Sequence, residues 1–254
     1  FSFVDSFKTV MALSFIASGL FSYLWLKEVL NSQKAAFLGA LYYTWVPYRF
    51  SLIYVRASIS EILGYTFLPL TLFCITKLAI HKNLTWAALT SISVAAVLLS
   101  QNLVALITLP IMGVYLVIQS FFSKSYKTFT LGVFSLAWAF VVSSFTYLPA
   151  LFERNYIKFD TTLKNAYYDH FVTLKQLIKS PWDYGFDLKG TVNDHMAFQI
   201  GLAHILVTFI TIIIVTFFVV IRKRFNREFV LVIFFLLLFP ISIILMLQTN
   251  FTIE

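Results

Sequence analysis

Long apolar runs alternate with short polar joints along this chain. Apolar stretches of roughly 17 to 25 residues, the length that crosses the hydrocarbon core of a bilayer, fall near 7–26, 35–54, 59–79, 84–100, 103–122, 128–149, 198–221 and 229–247. They carry no amphipathic stripe, and helices that are apolar all round face lipid or lie deep inside a protein. The pattern predicts an all-α, polytopic transmembrane protein of about eight spans, organised as a single transmembrane domain over 1–254. The stretch 35–54 is the weakest of these, because Pro47 and Arg49 interrupt it. The Gln101-Asn102 joint is short enough to make its two flanking runs a helical hairpin. One connection is different in kind. The segment 150–197, between the sixth and seventh spans, is far longer than the usual connection of about four to six residues and reads as an extracytoplasmic cap loop.

Charge orients these spans. Lys27 with Lys34, Lys77 with Lys82, Lys124 with Lys127, and the group Arg222, Lys223, Arg224 and Arg227 occupy four loops. Those loops alternate with the 49–58 corner, the Gln101-Asn102 joint and the 150–197 segment, which balances six basic against six acidic residues. Basic residues in short loops mark the cytoplasmic side, so the long loop is expected outside. Tyr42, Tyr43, Trp45 and Tyr48 then gather at the outer interface and Trp86 at the inner one, where amphipathic rings settle. The same topology sends Phe1 outside. The chain opens on Phe rather than Met and shows no signal-peptide pattern, so we expect an upstream part carrying earlier spans.

Composition agrees with the pattern. The chain is 60% hydrophobic, 19% aromatic and 12% charged, against about 25% charged in a soluble domain. Its net charge of +8 reads as topology and affinity for anionic lipid. No basic cluster interleaves with exposed aromatics, which excludes nucleic acid as a partner. Cys74 is the only cysteine, so there is no internal disulfide and no cysteine-based zinc site; it reads as a small apolar residue within a span. The two sequon matches, Asn83-Leu-Thr85 and Asn250-Phe-Thr252, read as chance, the first falling on the cytoplasmic side. No G-x-S-x-G, P-loop or dinucleotide fingerprint supports a soluble-type hydrolase, ATPase or dehydrogenase.

Chemistry concentrates in two places. In "YVRASISEILGY", residues 54–65, Ser58-Ile-Ser-Glu61 has the form of a capping box that starts the third span, and a carboxylate suits the positive end of a helix. Arg56 has no such explanation. Residues five apart lie about 140° apart on a helix, so Arg56 and Glu61 are not a helical ion pair. A cation beside a helix N-terminus makes an anion site with the free backbone N–H groups, and Arg49 stands at the same corner. The competing reading has both arginines reaching lipid headgroups. The cap loop supplies the second constellation: Glu153, Asp160, Asp169, His170, Asp183, Asp187, Asp194 and His195 beside Trp182 and Tyr184. Carboxylates accept from sugar hydroxyls and flat rings stack on a sugar's C–H face. The alternative is a folded cap in which these groups satisfy one another. Asp169-His170 and Asp194-His195 also offer ligands to a divalent metal, without zinc-type spacing. Gln101, Asn102 and His204 read as interfacial turn and helix residues.

Several segments together resemble one group of proteins. "PYRFSLIYVRASISEILGYTFLPL", "LLSQNLVALITLP", "YLPALFERNY", "HFVTLKQLIKSPWDYG" and "NDHMAFQIGLAHI" occur in an order similar to bacterial membrane proteins of the 6-pyruvoyl-tetrahydropterin synthase-related family, which are similar to C-type (GT-C) membrane glycosyltransferases. The resemblance covers about residues 35 to 210. Pterin chemistry does not follow from it, because a histidine-liganded zinc and a catalytic cysteine have no counterparts here. The resemblance implies a glycosyltransferase of the bacterial cytoplasmic membrane, or an inactive relative, using a polyprenyl-phosphate-linked sugar at the outer face. It further implies that Arg56 and Glu61 match the family's Arg/Glu pair and that Glu153 and Asp194 match its acids; lipid phosphate is expected at Arg56 and Glu61, with Arg49 beside them at the same corner. The essential acid would stand in a first outer loop upstream of residue 1. A histidine is expected where Gln101 stands, and glutamine cannot act as an acid or base. The alternative function is a non-catalytic lipid-linked glycan transporter or envelope polysaccharide assembly factor.

Overall fold

The computed structural model describes residues 2–153, 156, 171–182, 184, 197–222 and 226–247. Its helices are α1 (Phe3–Leu30), α2 (Gln33–Thr44), α3 (Pro47–Ser51) with a π-helical turn (Leu52–Arg56), α4 (Ile59–His81), α5 (Leu84–Ser100), α6 (Asn102–Ser123), α7 (Tyr126–Phe152), α8 (Leu174–Ile178), α9 (Leu202–Arg222) and α10 (Arg227–Met246). Among the described residues there is no strand, only an isolated bridge between Val172 and Leu247. Among the described residues five helices are long and apolar enough to cross a bilayer: α1, α4, α6, α7 through Pro149, and α10. α5 and the Leu202–Phe217 part of α9 are apolar but shorter. The described residues are all-helical, with five candidate membrane spans, as in a membrane protein.

The apolar stretch 35–54 is not one helix. α2 ends at Thr44 and Val46 is extended, with φ −62° and ψ 127°. The cause is Pro47, which drives the residue before it out of helical conformation and then occupies the first turn of α3. Twelve residues of α2 make about 18 Å of helix, well short of the roughly 30 Å of a bilayer core.

The chain divides into two compact units, one of residues 1–44 with 58–152, the other of 45–57 with 153–254. In the first unit, helix directions follow from paired residues. Thr66 Oγ1 donates to the Ser14 carbonyl at 3.0 Å, and Lys77 meets Glu28 at 2.6 Å, so α1 and α4 run parallel. Gly64 faces Val104 and Lys82 Nζ donates to the Ser123 carbonyl at 3.3 Å, which sets α6 parallel to α4. Ser135 Oγ donates to the Ala87 carbonyl and Tyr147 Oη to the Leu98 carbonyl, so α5 and α7 run together in the opposite sense. The turns at Asn31, Lys82 and Lys124 therefore share one end of this unit. All three residues take left-handed conformations, with φ 50°, 53° and 47°, that stop α1, α4 and α6. Three of the four basic loops grouped from sequence are thereby brought together.

α4 is the central helix. It buries Leu72, Ile75 and Leu78 along with Thr71, Cys74 and Thr76. α1 turns Ser14, Ser18 and Ser22 inward; the Ser18 and Ser22 hydroxyls return to carbonyls of their own helix, and small side chains let helices approach closely. Where α1, α4 and α6 meet, Trp25 Nε1 and Gln119 Nε2 donate to Tyr115 Oη at 2.8 and 2.6 Å. Tyr115 Oη also lies 2.7 Å from Thr76 Oγ1, which reaches the Leu72 carbonyl at 2.8 Å. Tyr115 and Thr76 are fully buried. The Trp25 and Thr76 contacts to Tyr115 cross between helices, and in lipid such bonds hold where apolar contact alone gives little preference. The outer faces carry Leu13, Ile16 and Leu20 of α1 and Leu103, Leu106 and Ile107 of α6, all well exposed, as lipid-facing surfaces are.

Candidate functional site

The segment Trp45–Ala57 belongs to the second unit and contains both sequence-selected arginines. Arg49 lies on α3 and is 5% exposed, so it does not extend to open surroundings. A buried guanidinium is stable only where acceptors meet its donors. Arg56 is exposed, and its Nη1 donates to Tyr48 Oη at 2.8 Å. The π-helical turn makes that contact geometrically accessible. On a regular helix residues eight apart lie about 80° apart. A turn with i→i+5 bonds advances about 85° per residue rather than about 100°, which brings Tyr48 and Arg56 within roughly 20° of one face. Ala57, at φ 48° and ψ 36°, closes the turn with its N–H on the Leu52 carbonyl.

Two further segments build this corner. Buried Ser51 donates from Oγ to the Ala197 carbonyl at 3.0 Å. Gly201 has φ +100°, and a Cβ there would fall 2.8 Å from Pro47 Cγ, so only glycine allows the approach. The Ile200 N–H bonds the Leu177 carbonyl at 2.9 Å. Ser180 Oγ accepts from the Phe198 N–H at 3.2 Å and donates to the Gln176 carbonyl at 2.7 Å. α8 is started by a true capping box between Thr173 and Gln176. The corner is thus assembled from 45–57, 171–182 and 197–204. His204 Nδ1 lies 3.2 Å from the position of a Gly201 Cβ. Trp182 and Tyr184 form an exposed edge-on pair with centroids 6.5 Å apart.

The remaining sequence-selected residues are distributed differently. Glu61 belongs to the first unit and is buried at 8% exposure. Ser58 is the N-cap of α4, as the sequence predicts, but the capping box does not form. Its backbone sits at φ −85°, ψ 88° with no side-chain cap bond, and its hydroxyl lies 3.4 Å from Ser60 Oγ. A working cap needs an extended N-cap that aims its oxygen at the N2 or N3 N–H, and the left-handed Ala57 delivers the chain differently. Gln101 is the single extended residue between α5 and α6, and with Ser100, Asn102 and Leu103 it lines a shallow hollow of about 350 Å³. Glu153 is exposed at the end of α7, its carbonyl accepting from the Tyr156 N–H. Asp160, Asp169, His170, Asp183, Asp187, Asp194 and His195 lie outside the described residues. Among the described residues no three His, Cys, Asp or Glu side chains converge on a metal position. Asn83, in the first sequon, is instead the N-cap of α5, accepting from the Trp86 N–H at 3.0 Å.

Sequence reasoning missed Tyr48 and Ser51. Tyr48 could have been found only with the π turn in hand, and Ser51 pairs with a residue 146 positions away. No protein-family model, curated protein or solved structure matches this chain.

Proposed function

We propose that the Arg49–Arg56 corner binds the phosphate of a lipid-linked substrate at the outer face of a bacterial cytoplasmic membrane. In this reading the protein is a GT-C-like glycosyltransferase that takes sugar from a polyprenyl-phosphate donor. The observation carrying it is the short helical elbow at 47–56, which interrupts an apolar stretch and holds one buried and one exposed arginine. Two guanidinium groups have the charge and the paired donors that phosphate oxygens accept. As an acceptor hydroxyl oxygen bonds the sugar's anomeric carbon and releases its proton to solvent, the bond from that carbon to the phosphate oxygen breaks, the electron pair stays with the phosphate, and fixed cations stabilise that developing charge. Trp182 and Tyr184 offer flat, exposed surfaces for the sugar. Asp169, His170 and Asp194 remain candidates for its hydroxyls, with a divalent metal a further option there.

The test is binding of a polyprenyl phosphate and of the matching polyprenol to the full chain in lipid nanodiscs. Arg56→Gln should weaken the phosphate form about tenfold or more, the weight of a charge-assisted bond, and leave the alcohol unaffected. Equal affinity of the unmodified protein for both lipids would exclude the phosphate site. Normal sugar transfer by Arg56→Gln would exclude Arg56 from the donor site. The alternative of a lipid-linked glycan transporter calls for a polar path. The inward serines of α1 count against one there, because Ser18 and Ser22 spend their hydroxyls on their own helix.

A further inference from the structure

We infer that the lysine-bearing end of the first unit is a binding surface for acidic phospholipid headgroups, centred on Lys82, Lys124 and Lys127. This does not depend on the proposed activity. The parallel run of α1, α4 and α6 brings Lys27, Lys34, Lys77, Lys82, Lys124 and Lys127 to one end, where Glu28 is the only acid in the surrounding sequence and is engaged by Lys77 at 2.6 Å. The opposite ends of α1 and α4 carry Asp5, Lys8 and Glu61. The charge is therefore segregated along the bundle.

The centre is built rather than merely crowded. Lys82 and Lys124 hold left-handed cap positions at the ends of α4 and α6. Lys82 Nζ spends one donor on the Ser123 carbonyl at 3.3 Å, and an ammonium has three. That bond fixes Lys82 beside Lys124, with exposed Lys127 the second residue of α7. Leu84, Phe121 and Tyr126 stand exposed around the same turns, at 73%, 75% and 81%. A soluble anion would leave those apolar groups in water, whereas a headgroup brings acyl chain and interface to cover them. The His81 ring stacks on Trp86 with centroids 5.8 Å apart, an amphipathic pair of the kind that settles at headgroup depth.

The test is retention of phosphatidylglycerol against phosphatidylcholine by the full chain, read by native mass spectrometry, with unfolding temperature in nanodiscs of each lipid. The unmodified protein should retain the acidic lipid preferentially and unfold at a higher temperature in it, and salt should erode both effects. Lys127→Gln, on an exposed side chain, should lower acidic-lipid affinity roughly fivefold, and the Lys82, Lys124 and Lys127 to Gln triple variant on the order of 10²-fold. The corresponding triple Arg variant should restore most of the loss. Equal retention of both lipids, an unchanged preference in Lys127→Gln, or displacement of the lipid by inorganic phosphate alone would each overturn the inference.

Discussion

Tyr115→Phe isolates the polar junction of α1, α4 and α6. The substitution keeps the ring, including its edge contact with Trp25 at 6.1 Å, and removes only the hydroxyl. That oxygen accepts from Trp25 Nε1 and Gln119 Nε2 and lies 2.7 Å from Thr76 Oγ1. An interhelical hydrogen bond in a membrane averages about 0.6 kcal/mol and reaches about 1.7. Buried donors deprived of an acceptor cost about 1–3 kcal/mol, so the loss of two incoming bonds at one buried oxygen should total about 2 kcal/mol. At about 2–4 °C per kcal/mol for a chain of this size, the unfolding temperature in detergent, followed by circular dichroism, should fall by roughly 4–8 °C. Gln119→Leu provides the second arm. Its remaining contact, with Thr76 Oγ1 at 3.4 Å, is long, so nearly all its polar contribution passes through Tyr115. The double variant should therefore cost about 1 kcal/mol less than the sum of the singles. A Tyr115→Phe shift under about 1 °C would refute the claim that this junction holds the three helices together, and strict additivity would refute the claim that Gln119 acts through Tyr115.

Three other substitutions follow from particular contacts. Gly132→Val places branched atoms into the Leu116 side chain, which already overlaps a Cβ at that position, and should cost about 1–3 kcal/mol in unfolding measurements. Gly201→Ala meets both a positive φ and the Pro47 ring. It should cost about 1–3 kcal/mol and raise hydrogen exchange across 45–57 and 171–182, while α5 and α7 stay protected; unchanged exchange in 45–57 would count against the corner. Ser58→Ala should shift stability by less than about 0.5 kcal/mol, because the cap bond that would make it cost about 1 kcal/mol is not made; a full loss would restore the capping box.

Apolar runs were legible because their length and lack of a polar stripe do not depend on what packs against them, and the helices start and stop close to where polar joints and caps occur. The break at 45–46 was legible only as a weakness: Pro47 signals that a helix cannot run through it, but not that the following turn would join a different unit. The Trp25, Thr76, Tyr115 and Gln119 junction was largely hidden. Tyr115 and Gln119 stand at i and i+4 in an apolar helix, a readable hint of one polar face, but Thr76 and Trp25 enter from 39 and 90 residues away. The corner failed differently. Arg56 was weighed against the N-terminus of α4 because it stands just before that helix in the chain, and a π turn has no composition that announces it. Once 52–56 is underwound, helical phase selects Tyr48 as the neighbour. Ser58 and Glu61 show the converse error. Their spacing supplies donors and acceptors for a capping box, but the left-handed residue before them sets the chain's approach to α4, and that approach determines which of the available bonds forms.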